Sequence, residues 1–381
     1  MLKTATYEVN LYINGNLIGD CRRIAQNLNY SRKRTKFGAD SIDFTVNDAL
    51  LNEWCEARNT SIGEILKPLA LECRLTRNGE DIIGGFMATM PAYQPLNSSA
   101  NLNLHFDGYL NLLAGVYIRN TTTNLPLGTI SGAAGSLVSD MIKFADNIAD
   151  SAGKAYGFKE GYIDSLASIT STFDNYKTVK DWICDRCDNT TGAGPFEIYF
   201  HSDKTYDIYA DSNFGTTIRD WVAFYPTLLN NTSVASISAV EVGDFASAVM
   251  GLGAGEVSSN ADENTAVFAF TSDSEAVVEY GYFETLYQDS SISTPSILQR
   301  NIEAELWNRE NPIWQPQITL KGVQVAPKPT GTNKIWVGDT IMINNSADLT
   351  GMTNGNFRVN ELNVAISATG DETITPVLER V

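Results

Sequence analysis

Residues 249–256 read Val249-Met250-Gly251-Leu252-Gly253-Ala254-Gly255-Glu256, and residues 277–284 read Val277-Val278-Glu279-Tyr280-Gly281-Tyr282-Phe283-Glu284. The first predicts a Gly-rich strand and the second an aromatic strand, with a long acidic linker between them. Thr294-Pro295-Ser296-Ile297-Leu298-Gln299 then opens a helix that runs to about Arg309. Threonine suits the N-cap, and proline suits the first helical position because its missing N–H has no helical partner to lose. The apolar set of this helix is Ile297, Leu298, Ile302, Leu306 and Trp307. Strand patterns follow at 317–325, 340–344, 356–367 and 372–378, with turns rich in Gly, Asn and Thr. Residues 216–381 are therefore expected to form a second β-barrel domain, braced by helix 295–309.

A matching strand-rich block stands at the other end of the chain. Tyr7, Val9, Leu11 and Ile13 alternate with polar residues, and Asn14-Gly15 supplies the positive-φ pair of a tight hairpin. Leu71, Cys73 and Leu75 alternate in the same way before a second such turn, Asn78-Gly79. Gly84-Gly85 marks a bulge or sharp bend. A short helix with Leu51, Trp54 and Cys55 in phase lies between the strands, capped by Asn47 or Asp48. Many short strands with tight turns in residues 1–106 predict a small closed barrel. Its one basic cluster, Ser31-Arg32-Lys33-Arg34-Thr35-Lys36-Phe37-Gly38, sits in a loop between strands. A solvated tip is the first reading, docking onto an acidic neighbour the second, nucleic-acid binding a distant third.

Residues 107–215 differ. Residues 136–152 carry Leu137, Met141, Phe144, Ala145 and Ile148 on one helical stripe, and residues 178–188 carry Val179, Trp182, Ile183 and Cys187 in phase. The pair Phe196-Glu197-Ile198-Tyr199-Phe200 and Tyr206-Asp207-Ile208-Tyr209-Ala210 reads as a hairpin. This is a small α+β insertion, so the fold class is mainly β with an α+β insertion.

The net charge of −18 is unevenly placed. Residues 1–110 carry 11 Lys/Arg against 12 Asp/Glu, a net of −1; residues 111–381 carry 16 against 33, a net of −17. Holding nucleic acid needs a basic footprint, which this chain lacks. A negative wall would still let DNA pass. No apolar run is long enough for a membrane helix, and Met1-Leu2-Lys3-Thr4 lacks the apolar stretch of a signal peptide, so synthesis and folding in a cytoplasm are expected. Five scattered cysteines, Cys21, Cys55, Cys73, Cys184 and Cys187, argue against a disulfide framework.

No catalytic, cofactor-binding or metal-binding residue is assigned. Cys184-Asp185-Arg186-Cys187 is a CxxC without redox or zinc surroundings, and it continues an apolar helix face. His105 and His201 are the two histidines, and neither lies near a nucleophile motif. Gly251-x-Gly253-x-Gly255 has no helix after it to receive a phosphate, so close backbone packing is expected there. Asn260-Ala261-Asp262-Glu263-Asn264 has calcium-ligand types without EF-hand spacing. Carboxylate pairs for glycoside hydrolysis stay open, because sequence does not give their separation.

Four passages in order carry a family resemblance. These are "YSRKRTKFGADSIDFTV" with "LALECRLTRNGEDIIGGFMATM"; "TVKDWICDRCDN" with "FEIYFHSDKTYDIY"; "SAVMGLGAGE", "EYGYFET" and "SSISTPSILQRNIEAEL"; and "GDTIMI" with "FRVNELNVAIS" and "TITPVLERV". Together they resemble the tail hub proteins of siphophages, the N-terminal structural region of tail-associated lysins, similar to the baseplate hub of contractile tails. The resemblance implies two tube-type β-barrels and a homotrimer with pseudo-sixfold symmetry. It implies a seat beneath a hexameric ring of distal tail protein, contacts with tape measure and receptor-binding proteins, and a virion location at the tail tip. It also implies a channel that closes and then opens for DNA, which passes only transiently, without stable membrane insertion. Many such proteins continue into a peptidase, lysin or fibre; this chain stops at Val381 after the last hub strand, so the resemblance carries no hydrolase and no cofactor. Two other readings compete: a carbohydrate-active or carbohydrate-binding protein using Trp307, Trp314 and Trp336, and the ring-forming distal tail protein itself.

Overall fold

The computed structural model describes residues 5–91, 101–173, 175–187, 195–218, 223–224, 234–241, 245–256, 265–309, 314–321, 326–328, 334–345 and 355–381. The N-terminal block holds β1 (Tyr7–Ile13), β2 (Asn16–Asp20), β3 (Gln26–Lys33), β4 (Ser41–Asn47), α1 (Asp48–Glu56), α2 (Ile62–Ile65), β5 (Leu71–Arg77), β6 (Glu80–Phe86) and β7 (Asn101–Gly108). The insertion holds a 3-10 turn (Tyr109–Gly115), β8 (Gly128–Ala133), α3 (Ala134–Ser151), β9 (Lys159–Ile163), β10 (Ser168–Phe173), α4 (Val179–Cys187), β11 (Phe196–Phe200) and β12 (Thr205–Ala210). Then come β13 (Thr217–Ile218), β14 (Ala223–Phe224), β15 (Val234–Glu241), β16 (Ala248–Leu252), β17 (Phe268–Ser272), α5 (Ser274–Tyr280), β18 (Glu284–Gln288) and α6 (Pro295–Arg309). The chain closes with β19 (Trp314–Lys321), β20 (Ala326–Pro327), β21 (Lys334–Ile335), β22 (Thr340–Asn345), β23 (Gly355–Ile366) and β24 (Glu372–Arg380).

The molecule is mainly β, with an α+β insertion. Both Asn-Gly turns form as expected: Asn14 and Gly15 take φ 49° and 80°, Asn78 and Gly79 take 52° and 80°. Asn47 caps α1 by accepting from the N–H groups of Ala49 and Leu50. Gly84 and Gly85 serve a different purpose from the one expected. The β5–β6 register shifts near Ile82 instead. A Cβ on Gly84 would lie 2.8 Å from the Ser202 carbonyl and from the Tyr109 hydroxyl, so this glycine lets the β11–β12 turn pack onto β6.

The two strand-rich ends do not stand apart. β23 pairs antiparallel with β3, from Glu361 opposite Lys33 to Ile366 opposite Leu28. That junction sets the sheet order β15-β19-β24-β23-β3-β4-β7-β6-β5-β1-β2. A single apolar core runs beneath it, with Leu11, Leu28, Phe44 and Leu104 from one end and Ile318, Phe357, Leu362 and Ile374 from the other. The insertion has its own core, built on Val138, Ile142, Trp182, Phe196 and Ile208.

The compact division of the chain therefore falls elsewhere than at 1–106, 107–215 and 216–381. One unit comprises residues 1–237, 317–349 and 354–381; the other comprises 238–316 and 350–353. Alternation locates strands but does not reveal which edge a strand joins.

In the second unit, β16 lies between antiparallel β17 and parallel β18. α6 covers one face of this small sheet through Leu298, Ile302 and Leu306, which meet Val249. The bracing helix thus supports a three-stranded sheet. The stretch expected as an aromatic strand is in fact divided. Ser274–Tyr280 is helical, with the Asp273 side chain accepting from the Glu275 and Ala276 N–H groups and Gly281 ending the helix at φ 99°. Only at Glu284 does the strand begin.

Candidate functional site

The Gly-x-Gly-x-Gly run is a packing device, as expected. A Cβ on Gly251 would come within 2.6 Å of Ile302 Cγ2, and one on Gly253 within 2.5 Å of the Ile292 carbonyl. These glycines let α6 and the Ile292 turn approach the sheet backbone. Gly253→Ala is expected to destabilise the second unit by about 1–3 kcal/mol, since overpacking here meets backbone. Thermal unfolding should show that loss as an earlier transition for this unit.

The residues that could have carried chemistry lie in separate places. His105 Nδ1 is 2.6 Å from Asp43 Oδ1, and Nε2 is 3.4 Å from Asp107 Oδ1. His201 Nε2 is 2.8 Å from Asp207 Oδ2, and its ring meets Tyr199 edge-on. Burial disfavours the charged His105 ring, but the hydrogen bond and field of Asp43 outweigh it and raise its pKa. A raised folded-state pKa gives stability that is present below the unfolded value and lost as pH rises through the folded one. His105→Gln should therefore lower the melting temperature at pH ~5 more than at pH ~9.

Cys184 and Cys187 are not joined in a disulfide; the Cys187 thiol donates to the Cys184 carbonyl at 3.0 Å. Burial pushes the Cys184 thiol up to about 11, and its Sγ lies 3.4 Å from the Thr35 carbonyl. Cys187 is buried in the insertion core. No cluster of three or more potential metal ligands occurs among the described residues. The acidic run 260–264 lies outside them.

The tryptophans of the carbohydrate reading fall in different compact units. Trp336 is buried against the main core, with the Arg32 guanidinium 5.4 Å from its ring centre. Trp307 is exposed in the other compact unit. The Trp314 side chain lies outside the described residues.

The basic cluster is not wholly a loop: Ser31–Lys33 end β3, Thr35–Phe37 form a 3-10 turn, and Arg32 and Arg34 are buried. Arg34 Nε donates to Glu197 Oε1 at 2.7 Å, and Nη2 to Asp211 Oδ1 at 2.6 Å. Nη1 donates to Asn360 Oδ1 at 3.0 Å, and the Arg34 N–H to the Asn360 carbonyl at 2.9 Å. Glu197 Oε2 also accepts from the Thr35 N–H at 2.7 Å. On the far side, Arg358 Nη1 donates to Asp211 Oδ2 at 2.5 Å. Arg32 pairs with Asp40 at 2.5 Å and lies over the Tyr199 ring at 4.3 Å. Burial works against the Arg34 charge, yet Glu197 and Asp211 hold its pKa above the ordinary value.

One side chain thus ties the N-terminal block, the insertion and β23 together. This replaces the solvated-tip reading: the acidic neighbour is part of the same chain. The sequence signal was Glu197 itself, a carboxylate inside the apolar run Phe196–Phe200, which requires a buried cation.

Such an arrangement binds elements to one another. Over nearly the whole chain it is a scaffold that has been seen before. The 43 kDa tail protein of prophage MuSo2 from Shewanella oneidensis superposes with a TM-score of 0.60 at 12% identity, covering 98% of this chain and 98% of that one. The chain has a phage tail protein fold. A tail protein from Neisseria meningitidis MC58 shares this fold with a TM-score of 0.55 at 13% identity, over 98% of this chain and 96% of that one. Residues 229–375 also match the family model described as prophage endopeptidase tail. No curated protein sequence matches the chain. The tail-protein fold spans both ends of the sequence, so the β3–β23 junction and the Arg34 cluster are internal to it.

Proposed function

We propose that this chain is a structural hub subunit at the distal end of a phage tail. It works as a homotrimer that closes the tail channel and opens for DNA during infection. The observation that carries this reading is the end-to-end fold match with two tail proteins. The family match over 229–375 supports it independently. The charge distribution supports the channel: a net of −17 over residues 111–381 keeps DNA from adhering as it passes. The expected partners are two further copies, a ring of distal tail protein, and tape measure and receptor-binding proteins, all within the virion. No helix among the described residues is long and apolar enough to cross a membrane.

The role is proposed as structural. The family description names an endopeptidase, whereas both ring nitrogens of His105 are taken by carboxylates, and no serine or cysteine is hydrogen-bonded to either histidine ring among the described residues. Incubating the purified chain with host cell-wall peptides should release no fragments. Sedimentation velocity is expected to show a trimer. A monomer at high concentration, with no affinity for a distal tail protein, would contradict the proposal.

A further inference from the structure

The sheet β17-β16-β18 has one face covered by α6, and its other face breaks the usual pattern. In a sheet with one covered face, the outward positions are normally polar. Here Met250 stands directly opposite Phe270 on one side and Leu286 on the other. Phe268 is two residues along on the same face of β17. All four are 38–52% exposed. The alternate residues Val249 and Ala269 turn inward to α6. Four large apolar side chains on one flat sheet face form a contact surface, unlike scattered exposed apolar residues.

The charge around this face selects its partner. Residues 238–316 carry 13 Asp/Glu against 2 Lys/Arg, a net of −11, with no histidine. Both cations, Arg300 and Arg309, lie on α6, the helix that packs on the covered face. β16, β17, α5 and β18 contain no basic residue, while Glu275 and Glu284 are exposed around them and Asp289 is half-buried just beyond β18. Two copies meeting through this face would bring −11 against −11, and an anionic lipid surface would be repelled in the same way. We infer that the outer face of β17-β16-β18 docks a different protein, one that presents apolar side chains ringed by lysine and arginine.

The inference does not depend on the hub reading and can be tested on the purified full chain. The probe is a fluorescent leucine–lysine amphipathic helical peptide, with a leucine–glutamate helix of the same pattern as its control. The lysine peptide should bind, and the glutamate peptide should not. Phe270→Ser combined with Leu286→Ser changes no charge and should weaken binding about tenfold. Met250→Gln, a milder change on the same face, should weaken it less. Trp307→Ser, on α6, should leave it unchanged. Circular dichroism and melting curves establish that each variant is folded. Equal binding of both peptides, or undiminished binding by the Met250 and Phe270/Leu286 variants, would overturn the inference. So would a shift from a larger to a smaller species in sedimentation of the Phe270/Leu286 variant, because the occupant would then be a second copy. Loss of binding to phosphatidylglycerol vesicles in that variant would identify a membrane face and overturn it as well.

Discussion

Arg34→Ala is expected to lower the unfolding free energy of the larger unit by about 3–5 kcal/mol, the usual cost of removing one partner from a buried ion pair. The substitution leaves Glu197 almost fully buried without its cation, and it also removes the donor to Asp211 and Asn360. Asp211 keeps Arg358, so the damage should centre on Glu197. Combining Arg34→Met with Glu197→Leu should recover much of the loss, because a buried pair replaced by apolar side chains of similar size no longer requires desolvated charge. Chemical denaturation of the wild type, Arg34→Met, Glu197→Leu and the double variant gives the coupling. A single-variant effect below about 1 kcal/mol would show that the junction is solvated.

The second large effect is expected at Glu372. Its carboxylate accepts from Arg77 Nε at 2.6 Å and Nη2 at 3.0 Å, and from the Tyr7 hydroxyl. The contact joins the start of β24 to β1 and β5, far from the Arg34 cluster in sequence. Burial and the neighbouring Glu372 push the Tyr7 phenol well above its ordinary range, so it stays a neutral donor. Glu372→Ala leaves the Arg77 guanidinium and the Tyr7 hydroxyl without their acceptor, and should cost about 3–5 kcal/mol. Glu372→Gln retains an acceptor oxygen and should cost about 1.5–3 kcal/mol, the range of a hydrogen bond to a charged group. A Gln variant as stable as the wild type in denaturant titrations would mean that the charge of Glu372 contributes nothing, whereas equal effects of the two substitutions would mean that a neutral acceptor recovers nothing.

These two clusters also show where sequence reading stops. The local features were legible. Asn-Gly pairs announced both hairpins, Asn47 announced α1, and Thr294-Pro295 announced α6. Each of these depends on the preference of one or two residues for a backbone conformation. The misread element, α5, had its signals too: Asp273 at the N-cap, and Gly281 at the end. Its β-branched and aromatic residues, Val277, Val278 and Tyr280, obscured them, because strand composition and a two-turn helix overlap over so short a span.

Long-range partners were not legible. Nothing near Arg34 in sequence indicates Glu197, Asp211 or Asn360, so a cluster that looked like a solvated loop proved to be a buried junction. The pairing of β3 with β23 was hidden for the same reason. β17 lies in the stretch expected as an acidic linker, where Phe268 and Phe270 alternate with Ala269 and Thr271, and only the position of α6 decides which face is covered.

The central claim is a trimeric hub at the tail tip, and cryo-electron microscopy of the tail particle assembled with this chain tests it most directly. Three copies of the fold, arranged around the tube axis at the distal end and next to the distal tail ring, are the result expected. Density for this chain along the tube shaft, or a stoichiometry other than three at the tip, would contradict it.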